Sequence, residues 1–223
     1  MFKEARELIA TIREKDPAAH GAAEIIFAYP GFHAVMIHRF AHWCAIQGWT
    51  AFARWVSQVG RFLTGIEIHP KAKIGRRVFF DHAMGVVIGE TAEVGDDCTI
   101  YQGVTLGGTN LTAGAKRHPT LENGVVVGAG AKVLGSFTVG AGAQIGSNAV
   151  VVKPVPAGAT VVGVPGRIAE GMLAASRSAS AAFMRQRPLS MHTVSNPACA
   201  TRMPPLFLSL CVLLKPSSVK LPV

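Results

Sequence analysis

The segment FFDHAMGVVIGETAEVGDD, residues 79–97, places the titratable pair Asp81-His82 inside an otherwise aliphatic and glycine-rich pattern. A histidine titrates near neutral pH, so it can take a proton from a hydroxyl and return it to a leaving group. A flanking carboxylate suits a general base, because it steadies the imidazolium that forms. The plain alternative is a turn histidine without a role. A second polar group, Lys116-Arg117-His118-Pro119, stands in a turn-rich segment, and an arginine fork there can hold a carboxylate through two parallel hydrogen bonds. Gly107-Gly108, in LGGT, would let a ligand approach the backbone closely, although such a pair also occurs at ordinary coil corners. His38 and His42, four residues apart, share a helix face. No third metal ligand accompanies them, so they read as packing or interface histidines.

These groups need a rigid frame, and the periodicity supplies one. Ile68, Ile74, Phe80 and Val86 are six apart, as are Ile88, Val94, Ile100 and Leu106, and then Val127, Val133, Val139, Ile145 and Val151. Seven of these positions are followed directly by glycine. A period of six fits neither a helix nor a simple alternating strand. It fits a parallel β-helix in which each repeat makes one short strand and one turn. The repeat runs over 65–170 and is interrupted by a polar loop over 107–123, a usual place for function on a solenoid.

Residues 1–64 read as helical. Phe2, Leu8, Ile9 and Ile12 recur at helical spacing. Asp16-Pro17 reads as an N-cap followed by an N1 proline opening a second helix over 18–28. Pro30-Gly31 breaks that helix, a third ends near Gly48, and a fourth covers 49–62. The expected fold class is therefore α+β, a helical N-terminal region followed by a parallel β-helix.

Composition narrows the function classes. The formal charge is +9, but residues 174–223 hold six basic residues and no acid, which leaves +3 for the rest. So small an excess argues against a nucleic-acid-binding protein. Cys44, Cys98, Cys199 and Cys211 form no zinc or redox spacing and are expected to stay reduced, as in the cytoplasm. The N-terminus is not a signal peptide. The apolar run 205–214 is half the length of a membrane span, so no membrane association is expected. The tail, 171–223, shows no clear period and is expected to be poorly ordered.

PGFHAVMIHRFAHW, IEIHPKAKIG, DHAMGVVIGETA, GVTLGGT, KRHP and GVVVGAGAKVLG stand in the order typical of serine O-acetyltransferases, and residues 10–170 resemble that family. The resemblance implies a left-handed coil and acetyl transfer from acetyl-CoA to L-serine, the first step from serine to cysteine. It implies His82 as catalytic base and Glu67, where the family usually has Asp, as its supporting acid. Asp16 and Asp81 match residues that contact the substrate, most naturally its ammonium group, while Arg117 and His118 match those facing its carboxylate. Gly107, Gly108 and Thr109 would lie by the thioester, and Ala129 and Gly130 would line the pantetheine groove. Glu90 reads as structural.

The resemblance further implies a homotrimer with sites between neighbours, and leaves a dimer of trimers open. Family members often bind O-acetylserine sulfhydrylase through a C-terminal peptide ending in isoleucine. This chain ends KLPV, which weighs against that partnership. Three other readings share the coil: an acetyltransferase with a sugar or amino-sugar acceptor, a γ-type carbonic anhydrase using His69, His82 and His118 on zinc, and a non-catalytic scaffold. No resident metal is expected.

Overall fold

The structure, a computed structural model, describes residues 2–112 and 114–169. Four helices come first: α1 (Phe2–Lys15), α2 (Ala22–Ala28), α3 (Pro30–Ile46) and α4 (Thr50–Thr64). Fifteen short strands follow, from β1 (Glu67–Ile68) to β15 (Arg167–Ile168). They wind into a parallel solenoid with three faces. The first face orders β1, β4 (Val87–Ile88), β7 (Thr105–Gly107), β10 (Lys132–Leu134) and β13 (Val150–Val151). The second orders β2 (Lys73–Ile74), β5 (Glu93–Val94), β8 (Thr120–Leu121) and β11 (Thr138–Val139). The third orders β3 (Phe79–Asp81), β6 (Thr99–Tyr101), β9 (Val126–Val127), β12 (Gln144–Ile145), β14 (Thr160–Val162) and β15. Every pairing is parallel except that of β14 with β15. The tail, 171–223, lies outside the described residues.

The six-residue period is the core seen from the sequence. Ile68, Ile88, Leu106, Val133 and Val151 stack in register on the first face. Ile74, Val94, Leu121 and Val139 stack on the second, and Phe80, Ile100, Val127, Ile145 and Val161 on the third. A second inward set lies two residues before each of these. It includes Ala72, Val78, Val86, Cys98, Val104, Val125 and Ala131, all buried. Side chains two apart on a strand share a face, so both sets point inward.

Two departures from the expected pattern follow. Val86 belongs to this second set, and Ile88 is the residue that stacks. The corner between β3 (Phe79–Asp81) and β4 (Val87–Ile88) therefore holds two more residues than the six-residue repeat provides, and His82 sits in it. The polar loop also ends before the expected boundary at residue 123. Thr120–Leu121 is a strand, β8, paired with β5 (Glu93–Val94) and β11 (Thr138–Val139). Leu121 lies six residues before Val127 and is in phase with the run that follows, but it stands among the polar residues Thr120, Glu122 and Asn123, which read as loop.

The helices are tied to the coil backbone. The two terminal nitrogens of Arg39 in α3 donate to the carbonyls of Ile74 at 2.5 Å and Gly75 at 2.6 Å. His42 donates from Nδ1 to Pro70 O at 2.6 Å. Ser57 in α4 donates to Ile68 O at 2.7 Å. Gly31 lets α3 approach β3 closely: a Cβ there would lie 2.4 Å from Phe80 O. Its lack of a side chain sets the start of α3 directly beside Asp81 and His82. Asp16 and Pro17 do not open α2, which begins at Ala22. They form a turn in which the carboxylate of Asp16 accepts from Ala18 N at 2.8 Å.

Candidate active site

The corner after β3 pushes its histidine outward. His82 and Ala83 both take left-handed backbone conformations, with φ 55° and 51°. Such conformations cost non-glycine residues of order 1–3 kcal/mol each and cluster at functional sites. The His82 side chain is 80% exposed, and its Nε2 lies 3.7 Å from Oδ1 of Asp81. Asp81 ends β3 and is half-buried. Burial pushes its carboxyl above the ordinary range, the imidazole of His82 pulls it back, and the Asp16 carboxylate pushes it up again.

A cleft of about 330 Å³ is lined by Asp16, Tyr29, Gly31, Phe80, Asp81 and His82, among others. The α1–α2 turn supplies Asp16 and the coil corner supplies Asp81 and His82. Two carboxylates therefore converge beside one imidazole, a geometry fit for an ammonium group next to a hydroxyl to be deprotonated. Sequence reasoning did not single out Tyr29, whose hydroxyl donates to Oδ2 of Asp16 at 2.7 Å. Nothing in the local sequence distinguishes it from a tyrosine that merely precedes a helix.

Arg117 and His118 occupy a different corner, between the first and second faces. His118 is buried, and its Nδ1 accepts from Thr91 N at 3.1 Å and lies 2.9 Å from Thr91 Oγ1. That hydroxyl oxygen also accepts from the backbone nitrogens of Arg117 at 3.0 Å and His118 at 3.2 Å. Thr91 thus anchors the end of the loop, which no sequence signal announced. Burial, reinforced by Arg117, lowers the pKa of His118. Its ring is packed on Gly89, where a Cβ would lie 2.0 Å from Nε2. Arg117 Nη2 donates to Glu90 Oε2 at 2.8 Å, which gives Glu90 the structural part expected of it. Gly108 faces Arg117: a Cβ there would lie 3.1 Å from the Arg117 carbonyl oxygen.

The predicted site residues therefore fall into two groups in one chain. Asp16, Asp81 and His82 meet at the corner between the third and first faces. Ala129 and Gly130 lie on that same edge two coils along, through the ladder Gly103 N to Met84 O (2.9 Å) and Gly130 N to Gln102 O (2.8 Å). At ordinary strand spacing that is about 10 Å. Arg117, His118, Gly107, Gly108 and Thr109 gather at the other corner, across residues 85–89. That side spans about 13 Å at the usual strand rise. Glu67 does not hydrogen-bond to His82. Its carboxylate turns instead to Arg61 of α4, at 3.2 Å, and the acid nearest the ring is Asp81.

A larger cavity, of about 430 Å³, lies beneath the loop, but its charges are mutually compensated. Lys71 pairs with Glu90 at 3.1 Å, and Lys73 and Lys116 pair with Glu93 at 3.0 and 3.4 Å. Among the described residues no cluster of three or more His, Cys, Asp or Glu could hold a metal ion, and no helix is long and apolar enough to cross a membrane. His38 and His42 pack as expected, with ring centroids 5.6 Å apart.

No family model matches the sequence. The serine acetyltransferase of Mycobacterium tuberculosis is 61% identical over 160 residues, which cover 72% of this chain and 69% of that protein. The crystal structure of Neisseria gonorrhoeae serine acetyltransferase in complex with serine superposes with a TM-score of 0.71 at 38% identity, covering 74% of this chain and 68% of that one. The Brucella abortus serine acetyltransferase in complex with coenzyme A gives a TM-score of 0.73 at 42% identity, covering 75% and 66%.

Proposed function

Because the chain belongs to the serine acetyltransferase family, we propose that it transfers the acetyl group of acetyl-CoA to the hydroxyl of L-serine, giving O-acetyl-L-serine and CoA, the first step from serine to cysteine. The observation that carries this reading is the cleft in which Asp16, Asp81 and His82 converge.

The ammonium of serine sits between the two carboxylates, which leaves its hydroxyl beside His82. An alcohol is a poor nucleophile at neutral pH. His82 removes the hydroxyl proton as the serine oxygen bonds to the thioester carbonyl carbon. The resulting oxyanion is held near Gly107 and Gly108 by backbone N–H groups. The carbon–sulfur bond then breaks, and the imidazolium returns the proton to the departing thiolate. Glu67 steadies the imidazolium during this exchange. Its ion pair with Arg61 is 57% exposed on the arginine side, so little holds it there.

The substrate carboxylate needs Arg117 and His118, which in one chain lie a full coil face from His82. A neighbouring copy closes that gap by setting its own Arg117 corner against the His82 corner. The reading therefore includes a homotrimer with three seams. Acetyl-CoA lies along a seam, its pantetheine arm passing Thr109, Ala129 and Gly130. Buried, unpaired Cys44 and Cys98 suit a cytoplasmic enzyme.

A thiol-release assay with acetyl-CoA and a panel of acceptors tests the proposal. Release dependent on L-serine, and not on sugars or amino sugars, is the expected result. Release with a sugar acceptor alone, or none with serine, would overturn it.

A further inference from the structure

The carboxylate of Asp16 is not left to find its own orientation. Its chain position is fixed from one side by Lys15, whose Nζ donates to Asp97 O at 2.7 Å and Thr99 Oγ1 at 3.1 Å. These bonds pin the end of α1 to the coil. From the other side the carboxylate itself is clamped. Oδ1 accepts from Ala18 N at 2.8 Å, and Oδ2 accepts from the hydroxyl of Tyr29 at 2.7 Å. Tyr29 stands at the junction of α2 and α3, the same point at which Gly31 seats α3 on Phe80. The tyrosine therefore references Asp16 to the coil strand that carries Asp81 and His82.

We propose that Tyr29 is a positioning residue for recognition of the substrate's amine: it holds Asp16 at the spacing from Asp81 that an ammonium group requires. Both oxygens of a carboxylate keep a free lone pair after accepting one hydrogen bond, so the clamped Asp16 still has sites for an ammonium donor. The clamp removes rotational freedom that binding would otherwise have to remove. It also supplies a donor to one of two like charges facing each other across the cleft. This inference rests on the reading of the cleft as the serine site.

The test measures steady-state kinetics of Tyr29→Phe, Asp16→Asn and the double variant with two acceptors, L-serine and 3-hydroxypropionate, which has the hydroxyl and carboxylate but lacks the amine. A charge-assisted hydrogen bond is lost in Tyr29→Phe, so the KM for serine should rise roughly tenfold. Turnover at saturating serine and the KM for acetyl-CoA should stay within about twofold, and activity toward 3-hydroxypropionate should be unchanged. Adding Tyr29→Phe to Asp16→Asn should cause no further loss, because both act through one carboxylate. An equal loss with both acceptors, or additive effects in the double variant, would overturn the assignment of Tyr29 to amine recognition. An unchanged serine KM in Tyr29→Phe beside a raised one in Asp16→Asn would overturn it while leaving the cleft as the serine site. An unchanged serine KM in Asp16→Asn would remove the underlying reading of the cleft itself. Circular dichroism and the unfolding temperature of Tyr29→Phe, expected to match the parent, separate these outcomes from misfolding.

Discussion

Replacing Gly89 by alanine should weaken the use of serine at low concentration, although Gly89 acts only through the His118 ring packed on it. The added Cβ would stand 2.0 Å from Nε2 and 2.1 Å from Cδ2 of His118. Favourable carbon contacts begin at about 3.5 Å, so the ring must retreat by about 1.5 Å. The ring cannot retreat alone. Thr91 binds its Nδ1 and, through the same hydroxyl, the backbone nitrogens of Arg117 and His118. A displaced imidazole therefore carries the Arg117 backbone with it or breaks those bonds, at a cost of about 1 kcal/mol for each one lost. Misplacing a substrate-positioning group by about 1 Å can cost about 100-fold in rate. The expected result is a fall in kcat/KM for serine of about 30- to 100-fold, mostly through KM. The KM for acetyl-CoA should rise less than that for serine, because Ala129 and Gly130 lie on another edge and only Gly107, Gly108 and Thr109 share this corner. Nothing strains the backbone at this position, so the unfolding temperature should drop only modestly. Gly89→Ala enzyme with ordinary serine kinetics would refute the claim that the His118 corner belongs to the site.

His82→Ala should lower the acetylation rate at least about 100-fold without unfolding the coil, the loss expected for a general base; ordinary turnover by folded variant would contradict its role. Asp81→Asn should separate activity from stability. Burial raises the Asp81 pKa, so its charged form costs folding free energy above that pKa, and the cost vanishes below the unfolded value. At pH 7 the asparagine variant should be at least as stable as the parent and far less active, whereas a large loss of stability with activity retained would contradict this. His38 is buried, and neither ring nitrogen has a hydrogen-bond partner. Burial chiefly, then Arg39 and His42, bring its pKa down to about 3; His69 adds to this and the Ala72 backbone opposes it. The unfolded chain therefore binds the proton first, and the stability His38 contributes is lost as pH falls below about 6.5. By pH 5 the loss is about 2 kcal/mol. Unfolding titrations of His38→Leu should show that much less destabilisation between pH 7 and pH 5 than the parent, and identical slopes would contradict the assignment.

The inner stack of the coil was readable because every sixth residue faces inward, and a two-residue strand leaves no freedom in which one that is. The corners were not readable, because their geometry depends on insertions. The two additional residues after Phe80 look, in sequence, like an uninterrupted repeat ending in Val86. Only the pairing of Ile88 with Ile68 reveals that the corner is enlarged and that His82 is displaced outward by it. Asp16-Pro17 carries a helix-start signal, yet the same carboxylate serves a turn and Tyr29, a choice made by a residue thirteen positions away. Thr91 and Gly89 escaped notice for a related reason, since their partners lie across an insertion, at residues 117 and 118. Arg117 and His82 stand at different corners of one chain because each lies in an insertion between strands, and the inner six-residue period does not say at which corner an insertion falls.

Mixing subunits tests most directly whether His82 works across a seam. His82→Ala and Arg117→Ala chains, each nearly inactive at serine well below the parent KM, are denatured together and reassembled in equal amounts. If each site joins the His82 of one copy to the Arg117 of the next, random reassembly restores about a quarter of the sites to the parent composition. Recovery to about that fraction of parent activity is the predicted result. Mixed assemblies no more active than the separate variants would contradict the account.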